Sequence, residues 1–205
     1  MDSIIFDLDG TLWDSTEQIA HAWNEVLQER HINEPYVTVP LLKTLFGKTL
    51  PDIAAEAFPQ LTTAEQMELV EACCDREHGL LLRYGSPIYP HLQEVLDYLV
   101  TKYSLFIVSN CQAGYIEIFF EVTNLGKYFK DHLCPGDTGN PKSDNIREII
   151  ARNHLKSPVY VGDTDGDHKA STLAGIPFVY ASYGFGKTTD ADYMIKDLRD
   201  LTELF

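Results

Sequence analysis

Basic side chains are scarce in this sequence, and that scarcity limits its possible partners. The 205 residues include 16 Lys and Arg against 31 Asp and Glu, which gives a net charge of −15. Affinity for a nucleic-acid backbone comes from clustered Lys and Arg, so we expect no nucleic-acid partner. A small phosphorylated molecule is still compatible with this charge, because a bound metal and one or two lysines can reverse the field inside a pocket.

Cysteine is also scarce, and long apolar runs are missing. The chain has four cysteines with no C-x-x-C pair among them, which we interpret as small buried residues rather than as a metal site or a disulfide framework. No run approaches the roughly 18 apolar residues of a membrane span, and the first residues lack the pattern of a secretory leader. We therefore expect a soluble, cytoplasmic protein with no membrane partner. The oligomeric state is left open.

The first residues carry the strongest functional signal. An apolar run that begins at Ser3 predicts a buried strand, and it ends on Asp7 and Asp9, followed by Gly10 and Thr11. Alternation along the strand puts both carboxyl groups on one side of the chain, just beyond the strand end, where α/β sheets gather reactive groups. Two carboxylates this close need a cation between them or a proton on one of them, and either arrangement is useful in catalysis.

The spacing of apolar residues predicts an α/β protein with a helical insertion. Residues 15–85 have helical spacing and no strand pattern, whereas strands and helices alternate after residue 85. Such alternation implies parallel pairing and right-handed crossovers, hence a doubly wound parallel sheet. We expect residues 1–14 and 86–205 to form the α/β core and residues 15–85 to form an all-helical cap. Further strands are predicted near residues 104–110, 132–134, 159–163, 178–181 and 193–195.

Several local signals divide this chain into helices. Within the insertion, Ser15 or Thr16 can cap the first helix, and residues 31–35 end it. A second segment begins near residue 39 and breaks at Gly47, and a capping box at residues 62–65 opens a third. In the core, residues 136–142 are predicted to be a loop that leads into a helix from Asp144.

Polar residues follow two more of the predicted strands. Ser109 and Asn110 end the strand near residues 104–110, and Asp163 ends the strand near residues 159–163. Lys142 lies at the start of a later helix, and Asp167 follows four residues after Asp163. Because parallel strand ends lie along one edge of the sheet, these residues can converge on one pocket.

The acidic stretch from Asp163 to Asp167 also has the D-x-D-x-D spacing of a calcium loop. An EF-hand needs Gly at position six and Glu at position twelve of the loop. This chain has His168 and Ala174 there, so calcium binding of that kind is disfavoured.

Taken together, the motifs resemble the haloacid dehalogenase superfamily in its phosphotransferase branch, with the helical cap of its first cap class. The resemblance implies that Asp7 is the nucleophile and Asp9 the general acid/base. It also implies a Mg²⁺ cofactor held by Asp7, the backbone carbonyl of Asp9 and Asp163, with Asp167 orienting these ligands.

The resemblance assigns the remaining site residues to the substrate. Ser109 with Asn110 beside it, and Lys142, would bind the transferring phosphoryl group. Gly47 and Lys48 match a cap loop that meets the substrate in relatives. The family often has Pro after the motif lysine, where this chain has Ser143, which leaves only the shape of that loop in question.

The implied function is a Mg²⁺-dependent phosphomonoester hydrolase that acts on a small phosphorylated metabolite through an aspartyl-phosphate, similar to phosphoglycolate phosphatase-like and β-phosphoglucomutase-like members. A phosphomutase is the nearest alternative, but such mutases carry a hinge histidine where this chain has Ile19. Dehalogenases proper lack the second aspartate. A non-catalytic phosphoacceptor or binding protein is the alternative of another class, although phosphoacceptor domains place the acid pair and the acceptor on different strands and have no cap.

Overall fold

The computed structural model describes residues 1–32, 34 and 36–205, and its centre is one parallel six-stranded sheet. The strands are β1 (Ser3–Phe6), β2 (Ser104–Val108), β3 (Phe129–Leu133), β4 (Pro158–Gly162), β5 (Phe178–Ala181) and β6 (Tyr193–Ile195). Their order across the sheet is β3-β2-β1-β4-β5-β6, and every neighbouring pair is parallel. This is the doubly wound arrangement predicted from the sequence, with the reversal of strand order beside β1.

Ten helices connect or flank these strands within the described residues. They are α1 (Thr16–Glu29), α2 (Val39–Leu45), α3 (Leu50–Ala57), α4 (Thr63–Tyr84), α5 (Leu92–Leu99), α6 (Tyr115–Thr123), α7 (Pro135–Thr138), α8 (Lys142–Arg152), α9 (Asp165–Ala174) and α10 (Asp200–Leu204). A short 3₁₀ turn covers Gly126–Tyr128. No helix in this part of the chain is both long and apolar enough to cross a bilayer.

The central strand is buried on both faces, which explains its continuous apolar run. Ile4 and Phe6 belong to a large apolar cluster shared with the inserted helices, whereas Ile5 belongs to a second cluster with Phe106 and Val108 on the opposite face. Apolar side chains alternate between two covered faces in this way only when helices pack on both sides of the sheet. The end of β1 is therefore held rigidly between β2 and β4.

Helices α1 to α4 fill the insertion between β1 and α5, as predicted. Helix α1 packs against α4, and the Trp23 ring stacks on Phe58 with centroids 6.1 Å apart. The capping box is present, because Thr62 and Glu65 exchange side-chain and backbone hydrogen bonds at the start of α4. The exact limits of a separate cap, residues 15–85, stay a prediction.

Some predicted boundaries differ from the structure. Strand β3 begins at Phe129 rather than near residue 132, because an edge strand alternates half-exposed polar residues that hide its pattern. The predicted loop 136–142 contains most of α7, and α8 begins at Lys142 instead of Asp144. Helix α1 ends at Glu29, and the predicted end at 31–35 includes residues 33 and 35, which lie outside the described residues.

Candidate active site

Two neighbouring strands place their following residues around one cavity, and a third brings its following acid close to Asp7. Asp7 and Asp9 follow β1, while Ser109 and Asn110 follow β2, and all four line a cavity of about 40 Å³ between the sheet edge and the inserted helices. Asp163 follows β4, which pairs with β1 on its other side. The residues singled out in the sequence at strand ends therefore lie together.

Lys142 is buried at the centre of this group. It is 4 % exposed, and its Nζ donates to Asp7 Oδ1 at 2.8 Å and to Asp167 Oδ1 at 2.6 Å. Burial alone would lower the pKa of Lys142, but the charges of Asp167 and Asp7 outweigh it and hold that pKa well above its usual value. Lys142 is therefore a permanent buried cation.

One cation does not neutralise the acids around it. Burial and the charge of Asp167 raise the pKa of Asp7 to about 6, although the Lys142 ammonium and the Ser109 hydroxyl act in the opposite direction. Burial, with the charges of Asp167 and Asp7, raises the pKa of Asp163 well above its usual value. Three ionised carboxyls and one ammonium would leave excess negative charge, which a further cation or a bound proton would relieve.

Asp167 is fully occupied by the protein. Its Oδ1 accepts from Lys142, and its Oδ2 accepts from the Asp163 backbone N–H at 3.2 Å and from Thr164, through N–H at 2.9 Å and hydroxyl at 2.7 Å. The same contacts form the capping box of α9. Asp167 is thus held rigidly and orients both Lys142 and the loop that carries Asp163.

Asp163 has one oxygen left over. Its Oδ2 accepts backbone N–H groups from Phe185 at 2.6 Å and Gly186 at 3.3 Å, whereas its buried Oδ1 has no hydrogen-bond partner in the part of the chain that the structure describes. Asp7, Asp163 and Asp167 each offer an oxygen within 4.8 Å of the others. Three buried carboxyl groups that are hard oxygen ligands, one of them with an unpartnered oxygen, fit a divalent metal ion.

The position after the acid pair has room only for a glycine, Gly10. Its φ of +82° lies in the left-handed region, and a Cβ there would fall 2.3 Å from Asp163 Oδ2. Any other residue would therefore push Asp163 away from Asp7.

Asp9 has a different environment from Asp7. Its Oδ1 accepts hydrogen bonds from the Ser15 hydroxyl at 2.5 Å and the Tyr115 hydroxyl at 2.9 Å. Burial raises the pKa of Asp9 to about 7, with Ser15 lowering it and the Asp7 charge raising it further. A carboxyl group with such a pKa can both give and take a proton near neutral pH.

Sequence reasoning missed the two hydroxyls that hold Asp9. Ser15 was expected as a possible helix cap, and it does occupy that position, but its side chain makes no cap bond and turns to Asp9 instead. Tyr115 lies 106 residues from Asp9 along the chain, and no local sequence pattern indicates that it contacts Asp9.

The loop between α2 and α3 meets the core at this cavity. The Asn110 side-chain amide donates to the Gly47 carbonyl at 2.8 Å, and Gly47 lines the cavity. Lys48 does not line it; the Lys48 ammonium pairs with Glu56 at 2.5 Å and lines an adjoining open groove of about 600 Å³. This groove shares Gly47 and Asn110 with the cavity and is also lined by Lys142. A role for Lys48 in substrate binding stays a prediction.

The fold and the site define an α/β protein with a buried acidic centre beneath inserted helices. The family model of haloacid dehalogenase-like hydrolases matches residues 4–181, and the chain belongs to that family. The superfamily resemblance and the predicted fold class are thereby confirmed.

Curated relatives cover almost the whole chain. A phosphoglycolate phosphatase of Aquifex aeolicus is 28 % identical over 98 % of this chain and 95 % of its own length. One from Escherichia coli O157:H7 is 25 % identical over 97 % of this chain and 90 % of its own length.

Solved structures share the fold. A haloacid dehalogenase-like hydrolase from Streptococcus pneumoniae has a TM-score of 0.88 and 21 % identity, covering 100 % of this chain and 98 % of its own. A protein described as a predicted phosphoglycolate phosphatase from Haemophilus somnus has a TM-score of 0.85 and 24 % identity, covering 100 % and 97 %.

Asp9→Asn should change how the stability of the metal-free protein depends on pH. Because the pKa of Asp9 is about 7 in the folded chain and near 3.8 without the fold, the folded state keeps a proton that the unfolded state has lost between those values. Wild-type stability should therefore fall as pH rises through this window, by up to about 1.4 kcal/mol per pH unit from this group, and level off above it. The variant keeps an oxygen that can accept hydrogen bonds from both hydroxyls, but its unfolding free energy lacks the pH dependence that Asp9 contributes.

Urea unfolding in excess chelator at about pH 5 and pH 7.5, within and above most of that window, measures the difference. Asp75→Asn, at an exposed position of α4, is the control and should keep the wild-type slope. An identical slope in Asp9→Asn and wild type would contradict the assigned environment of Asp9.

Proposed function

We propose that the chain is a metal-dependent phosphomonoester hydrolase that works through an aspartyl-phosphate on Asp7. The observation that carries this proposal is the contrast between two carboxyls at one strand end. Asp7 faces the Lys142 ammonium and the acidic cluster. Asp9 accepts hydrogen bonds from two hydroxyls, and its own pKa is about 7. Paired acids in such different environments suit different roles, one as nucleophile and one as proton carrier. The names of the curated relatives support a phosphatase.

For the cofactor we propose Mg²⁺. The residues that would hold it are Asp7, the backbone carbonyl of Asp9, and Asp163 through its unpartnered Oδ1, with Asp167 fixing their positions. When bound, the ion supplies positive charge that offsets the negative charge on phosphate oxygens.

The chemistry divides between the two acids. Asp7 attacks phosphorus, so that a bond from its carboxylate oxygen to phosphorus forms while the bond to the leaving oxygen breaks, and Asp9 gives that oxygen its proton. Asp9 then takes a proton from water, whose oxygen attacks the phosphoryl group and frees Asp7. Ser109, Asn110 and Lys142 would bind the phosphoryl oxygens and stabilise the charge that develops there.

The inserted helices would act as a cap over this reaction. The hydrogen bond from Asn110 to Gly47 joins the α2–α3 loop to the core at the cavity. Closing the cavity in this way excludes bulk water until the substrate is bound.

The substrate class we propose is a small phosphorylated metabolite. The small cavity of about 40 Å³ beneath the inserted helices suits a small leaving group. A mutase is disfavoured, because Ile19 lines the cavity where such mutases carry a histidine, and it offers no group that transfers protons. A non-catalytic binding role would be excluded by turnover of a simple phosphomonoester.

Asp163→Asn should weaken the binding of Mg²⁺, because it removes an anionic ligand while keeping the shape of the side chain. Mg²⁺ should raise the melting temperature of the wild type and restore phosphomonoester hydrolysis lost in chelator. In the variant, both effects should require at least about 10–100-fold more Mg²⁺, the range for losing even a supporting partner of a metal ligand.

Asp165→Asn, two residues further along the chain, is the matched control, since Asp165 is exposed and pairs with Lys169. It should keep the wild-type response to Mg²⁺. Full hydrolytic activity in excess chelator would contradict a metal-dependent mechanism.

Lys142→Ala should lower kcat by about 10²–10³, or about 3–4 kcal/mol of transition-state stabilisation, because it removes one preorganised charge donor. Steady-state kinetics on protein shown to be folded by circular dichroism gives the loss. Lys156→Ala, at an exposed lysine after α8, is the control. Equal activity of the two variants would refute a catalytic role for Lys142.

A further inference from the structure

Glu77 is a buried acid that the proposed mechanism does not use. It lies on α4, is 3 % exposed and lines the same cavity as Asp7 and Asp9. Its Oε2 accepts from the Trp23 indole N–H at 2.6 Å, and its Oε1 accepts from the Gln112 side-chain amide. Two donors thus hold the carboxyl in one orientation at the cavity wall.

Glu77 is on the side of the cavity where the leaving group must lie. Glu77 lines the cavity together with Asp9 and with Tyr115, whose hydroxyl donates to Asp9. Because Asp9 would protonate the leaving oxygen, the atoms attached to that oxygen occupy the space between Asp9 and the inserted helices. The other helix residues that line this space are mostly apolar: Ile19, Trp23, Leu50, Ile53 and Cys74.

The wall of this cavity is acidic and has no cation of its own. Among the described residues that line it, three are carboxyls, Asp7, Asp9 and Glu77, and none is Lys, Arg or His. Lys142 contacts Asp7 but does not line the cavity. When Glu77 is ionised, a negatively charged leaving group would therefore meet a buried carboxylate with no cation to pair with.

The hydrogen-bond donors nearby already have partners. The Trp23 N–H and the Gln112 amide donate to Glu77, and the Asn110 amide donates to the Gly47 carbonyl. A carboxylate on the leaving group would have to displace these contacts, whereas a group that donates hydrogen bonds could add to the oxygens of Glu77.

We propose that Glu77 determines substrate specificity by binding a hydrogen-bond donor on the leaving group, an ammonium in preference to a hydroxyl, and by rejecting carboxylates. This inference rests on the proposed phosphomonoesterase function and narrows its substrate class. The substrate preference proposed here differs from that of the curated relatives, which are named for phosphoglycolate, a substrate that carries a carboxylate.

Three two-carbon phosphate esters test the proposal, since they differ mainly in the terminal group: 2-aminoethyl phosphate, 2-hydroxyethyl phosphate and phosphoglycolate. Burial raises the pKa of Glu77 to about 8. Assays at about pH 8.5 therefore ionise most of its carboxyl while a primary amine stays protonated. Asp9, with a pKa of about 7, is also largely deprotonated at this pH, but this slows the same step for all three esters and so cancels in their ratios. For the wild type with Mg²⁺ we expect kcat/KM to fall from the amine to the alcohol to the carboxylate, by at least about tenfold overall.

Glu77→Gln keeps the size of the side chain and removes its charge. The ratio of kcat/KM for the amine ester to that for phosphoglycolate should fall at least about tenfold in this variant. Glu71→Gln, an exposed position on the same helix, makes the same charge change and should keep the wild-type ratio. If Glu77→Gln does not fold, the wild-type series alone decides.

The outcomes separate this inference from the proposed function. No turnover of these esters or of 4-nitrophenyl phosphate would overturn both. If the aryl ester is turned over, three results would overturn only the role of Glu77. These are a preference for phosphoglycolate over the amine ester, no detectable turnover of the amine ester, or an unchanged ratio in Glu77→Gln.

Discussion

One buried ammonium surrounded by buried carboxylates is the constraint on which the rest of the site depends. Lys142 contacts Asp7 and Asp167 but leaves the Oδ1 atom of Asp163 without a partner among the described residues. Burying an excess of negative charge is costly, so a further cation or a bound proton would stabilise the site. A cation bound here would also offset the charge of a phosphate, in a protein whose net charge of −15 would otherwise repel anions.

The fold supplies the rigidity that this charge cluster needs. Strand β1 lies between β2 and β4, and apolar clusters cover both faces of the sheet. The residues that follow these strands therefore have little freedom to relax away from each other. Gly10 contributes at the point of closest approach, because its missing Cβ lets Asp163 come near the acid pair.

The sequence predicted best those features that depend on neighbours along the chain. The buried run ending on Asp7 and Asp9 and the strand before Asp163 were identified because local pattern specifies them. Tyr115 and Glu77 were missed. Each lies near Asp9 only because helices that are distant in the sequence pack against the sheet. Lys142 was found through its motif alone, because nothing local distinguishes a buried lysine at a helix start from an exposed one.

Rapid-mix kinetics on Asp9→Asn tests most directly the central claim that Asp7 is the nucleophile and Asp9 its proton carrier. An activated aryl phosphate needs no proton on its leaving group, so Asp7 should still be phosphorylated, while hydrolysis slows by roughly 10²–10⁴-fold without the general base. The account predicts a burst of aryl product equal to the enzyme concentration, no burst with an alkyl phosphate, and phosphate mass on Asp7 in acid-quenched protein. Equal slowing without a burst on the aryl substrate, or phosphate on another residue, would contradict it.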